Sequence, residues 1–527
     1  MKQCLPVLRR RYLGKIRTLR IIWDVSYSSS SRHQMTKMHQ NPNFDTASRT
    51  RIYCFLSLLI GVTLALLCLS SGLYIIATEP KTLGLPLDIS PLTQELVILI
   101  VNVTLTLCID GMMFTHSVSL RWALHHENGL QFNTNIRLLT SSSRSGPNRW
   151  YSNAATLFFL VLSYGSSSTL LPQTLTTPLL NATSLIGLGM ALAGQAVIAA
   201  WCLLSNRRLI PTWSSNPLNA TLAAIKMGTI TRRPGRSLLS VHHQKHKLLP
   251  EPVCPAKRQR PMIIAHRAVP YIVIIVWSLA FLATAWVISI VLVSRTISPT
   301  CWNFTMMWNI GGYCFYNSAE FRFGSSDTYG PLYTYGQYTI LCLLFVCAIQ
   351  GLQTIGLHCV ELLVNMSRDE AVWRRAYSET EKQAPGLQLT QSPLVAAVTS
   401  WENVILLFAK AVSHWALSQA MLPVFFPWDM KTVSIVFVYS RLALYALLAI
   451  LLALFTTYLA LRRPSGCQPT TLGHLQTIAD LVDDWETDDH GRMWWGEKTW
   501  SSEQIRHAGT SCHRRLLSRI DVEAKYF

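Results

Sequence analysis

Eight long apolar runs, separated by polar segments of very unequal charge, dominate the pattern along this chain. They cover residues 52–77, 94–115, 154–172, 183–204, 270–294, 338–363, 403–426 and 434–460. Each is close to or above the roughly 20 residues that a helix needs to cross a bilayer core. The third is the shortest and contains Gly165 with Ser163, Ser166, Ser167 and Ser168. The seventh carries Lys410, His414 and Pro423 and ends on Phe425-Phe426-Pro427-Trp428.

Charge tests this division independently. Basic residues should crowd alternate connecting segments if those segments lie in the cytoplasm. The N-terminal tail, loop 116–153, the central gap, loop 364–402 and the C-terminal tail are rich in lysine and arginine; the segments between them hold almost none. The gap, residues 205–269, is the extreme case, with twelve basic residues against Glu251 alone. The pattern predicts an all-α fold, a polytopic α-helical transmembrane bundle of about eight spans with both termini cytoplasmic. Its divisions are a disordered basic tail (1–51), four spans (52–204), a basic cytoplasmic loop (205–269), four more spans (270–461) and a cytoplasmic tail (462–527).

Composition agrees. Half of the residues are hydrophobic and only 14% are charged, whereas soluble domains carry about 25% charged residues. A formal charge of +19 would suit a nucleic-acid binder, but the cations sit between apolar runs rather than on one polar face. Nucleic acid is therefore not an expected partner; the lipid bilayer is, with anionic headgroups drawn to the basic central loop. Most of the thirteen cysteines lie inside apolar runs and read as small buried hydrophobes. The span lengths suit plasma membrane and endomembranes alike.

Loop 295–337 is expected on the outer side. Cys301 and Cys314 there could form a disulfide, worth about 3 kcal/mol by loop entropy, and Asn303 heads a glycosylation sequon. The sequons at Asn219 and Asn365 fall on cytoplasmic loops and should stay unused; that at Asn102 lies within a span and that at Asn181 beside the membrane.

Several stretches carry a resemblance. They are SLRWALHHENGLQFNTNIRLLTSSSRSGPNRWYSN (119–153), TWSSNPLNATLAA (212–224), GLHCVELLVNMSRDEAVWR (356–374), SWENVILLFAKAVSHWALSQAM (400–421) and GHLQTIADLVDDW (473–485). Together they resemble a family of uncharacterised fungal multi-span integral membrane proteins. The resemblance implies a membrane architecture and brings no catalytic or binding residue with it.

Candidate chemistry lies in the ionisable residues inside the runs, since each costs several kcal/mol unless paired or hydrated. They are Asp110, His358, Glu361, Lys410, His414 and Arg441. At 1.5 Å per residue, Asp110 and Lys410 both lie about 8–11 Å below the cytoplasmic surface, so an Asp110–Lys410 ion pair is allowed. Glu361 could compete for Lys410, and Arg441 could snorkel or meet His414. One reading is a polar path for an ion, proton or small solute through spans 2, 6, 7 and 8. The other is helix glue in a non-transporting scaffold or receptor that binds partners through its loops and tail. His242, His243 and His246 have metal-like spacing, but a solvated tract is expected and no metal is assigned. No nucleophile–base set, phosphate loop or dinucleotide fingerprint appears in a fitting context, which leans away from an enzyme and from any cofactor. In the tail, Leu475, Ile478, Leu481, Val482 and Trp485 recur at helical spacing with Asp480, Asp483 and Asp484 among them. That pattern predicts a short amphipathic helix docked on the protein's own basic loops at the cytoplasmic face, or on a regulatory partner.

Overall fold

The computed structural model describes residues 44–174, 177–206, 209–244, 252–295, 318–323, 335–378, 384–390, 395, 399–426, 432–498 and 506–527. Cys301, Cys314, Asn303 and His246 lie outside the described residues.

Among the described residues, long helices occupy all eight apolar runs. They are α1 (Ser48–Thr78), α2 (Pro91–His126), α3 (Trp150–Ser168), α4 (Ala182–Ser205), α6 (Ala268–Arg295), α7 (Tyr335–Trp373), α8 (Trp401–Ala420) and α9 (Tyr439–Leu461). A shorter α5 (Pro217–Lys226) lies in the central polar segment. Local sequence starts several of them. Ser90 accepts from Thr93 N ahead of Pro91, Asn181 from Thr183 N, Asn216 from Leu218 N and Ser400 from Asn403 N. Each thereby satisfies a backbone donor that the first turn leaves open.

Six helices, α1, α2, α4, α6, α7 and α9, are long and apolar enough to cross a membrane. The protein is thus a membrane-embedded, multi-pass helical protein in contact with lipid. The other two are the polar ones, and the bundle shelters them. Ser163, Tyr164, Ser166 and Ser167 of α3 are buried, as are Lys410, His414 and Ser418 of α8. α1 and α6, in contrast, leave Leu59, Leu66, Leu73 and Phe281 exposed for lipid.

Two short strands early in the chain, β1 (Gly84–Pro86) and β2 (Leu179–Asn181), pair antiparallel. The ends of two predicted spans are corrected. In the seventh and eighth runs, helix does not continue to residue 426, nor does it begin at 434. Met421–Phe426 (β5) and Thr432–Val438 (β6) are strands that pair antiparallel, and β6 also pairs with β3 (Ser318–Phe323). Pro423 has no N–H to give to a helix, and the flanking valines, isoleucine and phenylalanines suit a pleated surface. Similarly, the third helix stops at Ser168 rather than 172, just before Pro172 breaks the ladder.

At the opposite end of the bundle lies a polar layer. α2 and α7, with 36 and 39 residues, run to about 54 and 58 Å, far beyond a hydrocarbon core of about 30 Å. Their last turns are pillars of this layer: Trp122 and Trp373 are completely buried in it. Residues of the central gap and of the C-terminal tail close around them. The tail supplies α10 (Leu475–Leu481) and strands β7 (Arg492–Lys498), β8 (His507–Ser511) and β9 (Leu517–Ser518), and β4 (Leu387–Gln388) pairs with β7. Trp373, Ile478, Met493, Trp495 and Tyr526 share one apolar core.

The histidine tract is therefore not a solvated coil where it is described. Val241 is buried in a short turn, its N–H donates to Thr470 O, and His243 Nδ1 meets the Ser240 hydroxyl. The acidic helix α10 packs on α5, and Asp480 forms a 2.5 Å ion pair with Arg233 of the central gap. Trp494 and Trp495 lie on β7.

Two groups make this layer sensitive to acid. Burial lowers the His474 pKa from 6.5 to about 4, and the neutral ring caps α10 by accepting from Thr477 N. Asp483 accepts from Lys498 Nζ, His507 Nε2 and Thr510 N, bonds that together hold its carboxyl well below the usual carboxylate range against the opposing effect of burial. For a lowered histidine, the unfolded chain binds the extra proton, so stability is full above pH 6.5 and falls toward pH 4. The loss reaches about 3 kcal/mol at the lower limit. Asp483 adds a further loss below its unfolded value of 3.8. Hydrogen exchange of tail amides, corrected for intrinsic rates, should show protection falling from pH 6.5 to 4 while the bundle stays protected. His474→Asn, which can cap without titrating, should flatten that part of the profile; an unchanged profile would rule out His474 as the cause.

Candidate functional site

Lys410 is the centre of the site. It sits on the buried face of α8, 3% exposed, where an uncompensated ammonium could not persist. Its Nζ donates to Asp110 Oδ1 and Oδ2 of α2 at 2.8 and 2.9 Å, and to Glu361 Oε1 of α7. The Asp110–Lys410 pair allowed by depth counting is present, and Glu361 joins it rather than displacing it.

Two further groups complete the compensation. Arg137 Nη2 donates to Glu361 Oε2 at 2.6 Å, and His358 Nδ1 lies 2.7 Å from Glu361 Oε1. The same His358 nitrogen is 3.2 Å from Arg137 Nη2. It can donate to the carboxylate or accept from the guanidinium, not both; the shorter contact favours a proton on Nδ1. With Arg137 and Lys410 against Asp110 and Glu361, two cations meet two anions, and the His358 imidazole shares Glu361 Oε1 with Lys410. Arg137 comes from the loop between α2 and α3 and was missed in the sequence, where it falls outside the apolar runs. Its signal was the flanking Ile136 and Leu138, an apolar setting for a loop arginine.

One turn along α8 the cluster continues as neutral polar groups. His414 stacks on Tyr164 of α3, ring centroids 3.5 Å apart and planes within 6°. Its Nδ1 bonds Gln350 Oε1 of α7 at 2.8 Å. Gln350 Nε2 then donates to Ser168 Oγ, which is 2.6 Å from Ser418 Oγ, and Ser418 returns its proton to the His414 carbonyl. Lys410, His414 and Ser418 follow at i, i+4 and i+8, a single stripe about 12 Å long. Arg441, which could have snorkelled or met His414, does neither. Arg441 Nη1 donates to Gln419 Oε1 at 2.6 Å and its Nη2 to Glu95 Oε1 at 2.5 Å. Glu95, at the edge of the second run, is the other residue that sequence reading passed over. Near it, Glu95, Trp415, Gln419 and Arg441 line a cavity of about 10 Å³.

The remaining candidates resolve simply. Among the described residues no group of three histidine, cysteine or carboxylate side chains could hold a metal ion. Asn219 is completely buried, donating to Asp45 O and Thr212 Oγ1. Asn102 and Asn181 are buried as well, so none of these three sequons could carry a glycan in this fold. Comparison with protein-family models, curated proteins and solved structures gives no match to this chain.

Removing the cation should be more damaging than removing one anion. Lys410→Met leaves Asp110 without its cation and Glu361 with Arg137 alone to balance it, and should cost about 3 kcal/mol. Asp110→Asn should cost less, because Glu361 stays on Lys410 and the Asp110 side chain is 28% exposed. The double variant should recover part of the Lys410→Met loss. Thermal unfolding of the full chain in detergent, followed by tryptophan fluorescence, measures all three. Strict additivity would mean that the two residues do not act on one another.

Proposed function

We propose that this chain is an eight-span membrane protein with both termini on the cytoplasmic side, and that it passes a proton or small cation along the polar stripe of α8. We group it with the fungal multi-span membrane proteins that it resembles. The start of α1 supports the eight-span reading, because Asp45 N donates to Asn219 of the central segment. The C-terminal tail packs on that same segment. Both described ends thus lie on one side of the bundle, as an even number of crossings requires. The charge bias of the connecting segments makes that side the cytoplasm.

One observation carries the transport reading. Ionisable and hydroxylic side chains from α2, α3, α7, α8 and the α2–α3 loop line the bundle interior, from Arg137 and Glu361 past Lys410 and His414 to Ser418. Glue between two helices needs one such pair; two hydrogen-bonded clusters one turn of α8 apart, each with an imidazole, suit a relay. The scaffold alternative rests on the ordered polar layer, which offers a broad surface for partners.

Reconstituted vesicles loaded with a pH-sensitive dye test the choice. Under an imposed proton gradient, the wild-type protein should accelerate the dye response over protein-free vesicles. His414→Ala should slow it about tenfold or more while elution and unfolding temperature hold, since a general proton carrier contributes at least that much. Equal responses from wild-type, His414→Ala and protein-free vesicles would leave the scaffold reading. For topology, Asn303 should be glycosylated and Asn219 not; a glycan on Asn219 would overturn the orientation.

A further inference from the structure

A cleft at the ends of α7 and α9 carries Arg375, which lies outside the ion-pair network, and Arg462, which joins it only through a long contact. Two cavities of about 130 and 200 Å³ share Ala371 and Arg462 and lie on either side of the end of α7. Arg368 and Arg375 line the first and Arg374 the second. Acidic side chains are present too, but they are occupied. Asp369, completely buried, accepts from Arg368 Nη2 at 2.9 Å and from Asn133 Nδ2 at 2.9 Å. Glu402, 2% exposed, is turned inward and accepts from the Ser367 and Ser400 hydroxyls. Glu370 is held by Arg374 and by the N–H groups of Thr471 and Leu472.

What remains is positive. Arg375 has no side-chain hydrogen bond or ion pair among the described residues. Arg462 is half-exposed, and its Nη1 approaches Glu402 only to 3.8 Å. The cleft also sits at the membrane boundary. α9 ends at Leu461, one residue before Arg462, and Trp401, Tyr458 and Leu461 stand exposed beside it. Exposed tryptophan and tyrosine at that depth mark the headgroup level.

We propose that this cleft binds the phosphate monoester of an anionic membrane-lipid headgroup, held by Arg375 and Arg462. A monoester carries close to two negative charges and three acceptor oxygens, which a pair of guanidinium forks matches bidentately. The central loop lines the cleft through Ser214, Ser215, Asn216, Pro217 and Met262 but lends it no cation, and the proposal does not depend on the transport reading. A soluble phosphate has the same chemistry; the flanking aromatic residues favour the lipid.

Native mass spectrometry of the full chain in detergent separates the sources. Phosphatidylinositol 4-phosphate should give adducts that phosphatidylcholine does not. Arg375→Gln with Arg462→Gln should reduce them about tenfold or more, the loss expected from two charged hydrogen-bond donors. Arg375→Lys, which keeps the charge but loses the fork, should fall between the two. Should the double variant elute as misfolded protein, Arg375→Lys decides alone: adducts at the wild-type level overturn the proposal. So does lipid binding that the double variant retains. If millimolar inorganic phosphate abolishes the adducts and is itself retained by the wild type, free phosphate is the ligand and the lipid assignment fails.

Discussion

A primary ammonium buried among apolar helices is the constraint on which this architecture turns. Lys410 cannot be desolvated without partners, and α8 has none to offer, since its one carboxylate, Glu402, points into the layer. The compensation must therefore come from other segments. Asp110 brings α2 to α8, Glu361 brings α7, and Arg137 ties the α2–α3 connection to Glu361. Four elements far apart in sequence thus share one neutralised cluster. Apolar packing in lipid cannot specify such a register, because lipid tails solvate leucine as well as a neighbouring helix does. The charged cluster can, and the stripe above it extends the same register through Gln350, Ser168 and Ser418.

The same two long helices carry this constraint into water. α2 bears Asp110 in the bundle and Arg121 in the polar layer, where Arg121 Nη1 donates to Asn133 and Nη2 to Ser214 O. α7 bears Glu361 in the bundle and Asp369, Glu370 and Trp373 in the layer. Asn133 bridges the two systems by donating to both Asp369 and Ser215 O. Gly473 fits against Asp369 because its φ is +75° and a Cβ there would lie 2.6 Å from the carboxylate. Axial movement of α7 relative to α2 would disturb the Lys410 cluster and the layer together. A bundle and a cap built on shared helices respond as one body.

Legibility in the sequence followed the physics of each signal. Helices such as α1, α6 and α9 were plain because apolar length alone defines them, and depth along α2 and α8 was enough to suggest that Asp110 and Lys410 could meet. The strands β5 and β6 were not legible as strands: a short apolar run rich in valine and phenylalanine reads equally as the end of a span, and only Pro423 argued otherwise. Arg137 was hidden because the search for buried charge stopped at the edge of the apolar runs, while a loop can fold back over them. Nor could the histidine tract be read, since its order comes from Thr470 and the tail, more than 200 residues away in sequence. Local patterns report local burial; a layer assembled from three distant segments leaves little trace in any one of them.

The basic central segment shows how one composition serves two ends. Counted as charge, it is what would orient the bundle in the topology we propose, and the residues beside the spans would matter most for that. Packed as structure, it places Asn219 in the core, Arg233 on Asp480 and Arg258 beside Ser465 in a backbone bridge. Asp480 of α10 balances part of the segment's charge through its ion pair with Arg233. The two roles are compatible because they act at different times. In the topology we propose, the segment's charge would act as the spans insert, before residues 462–527 could neutralise it.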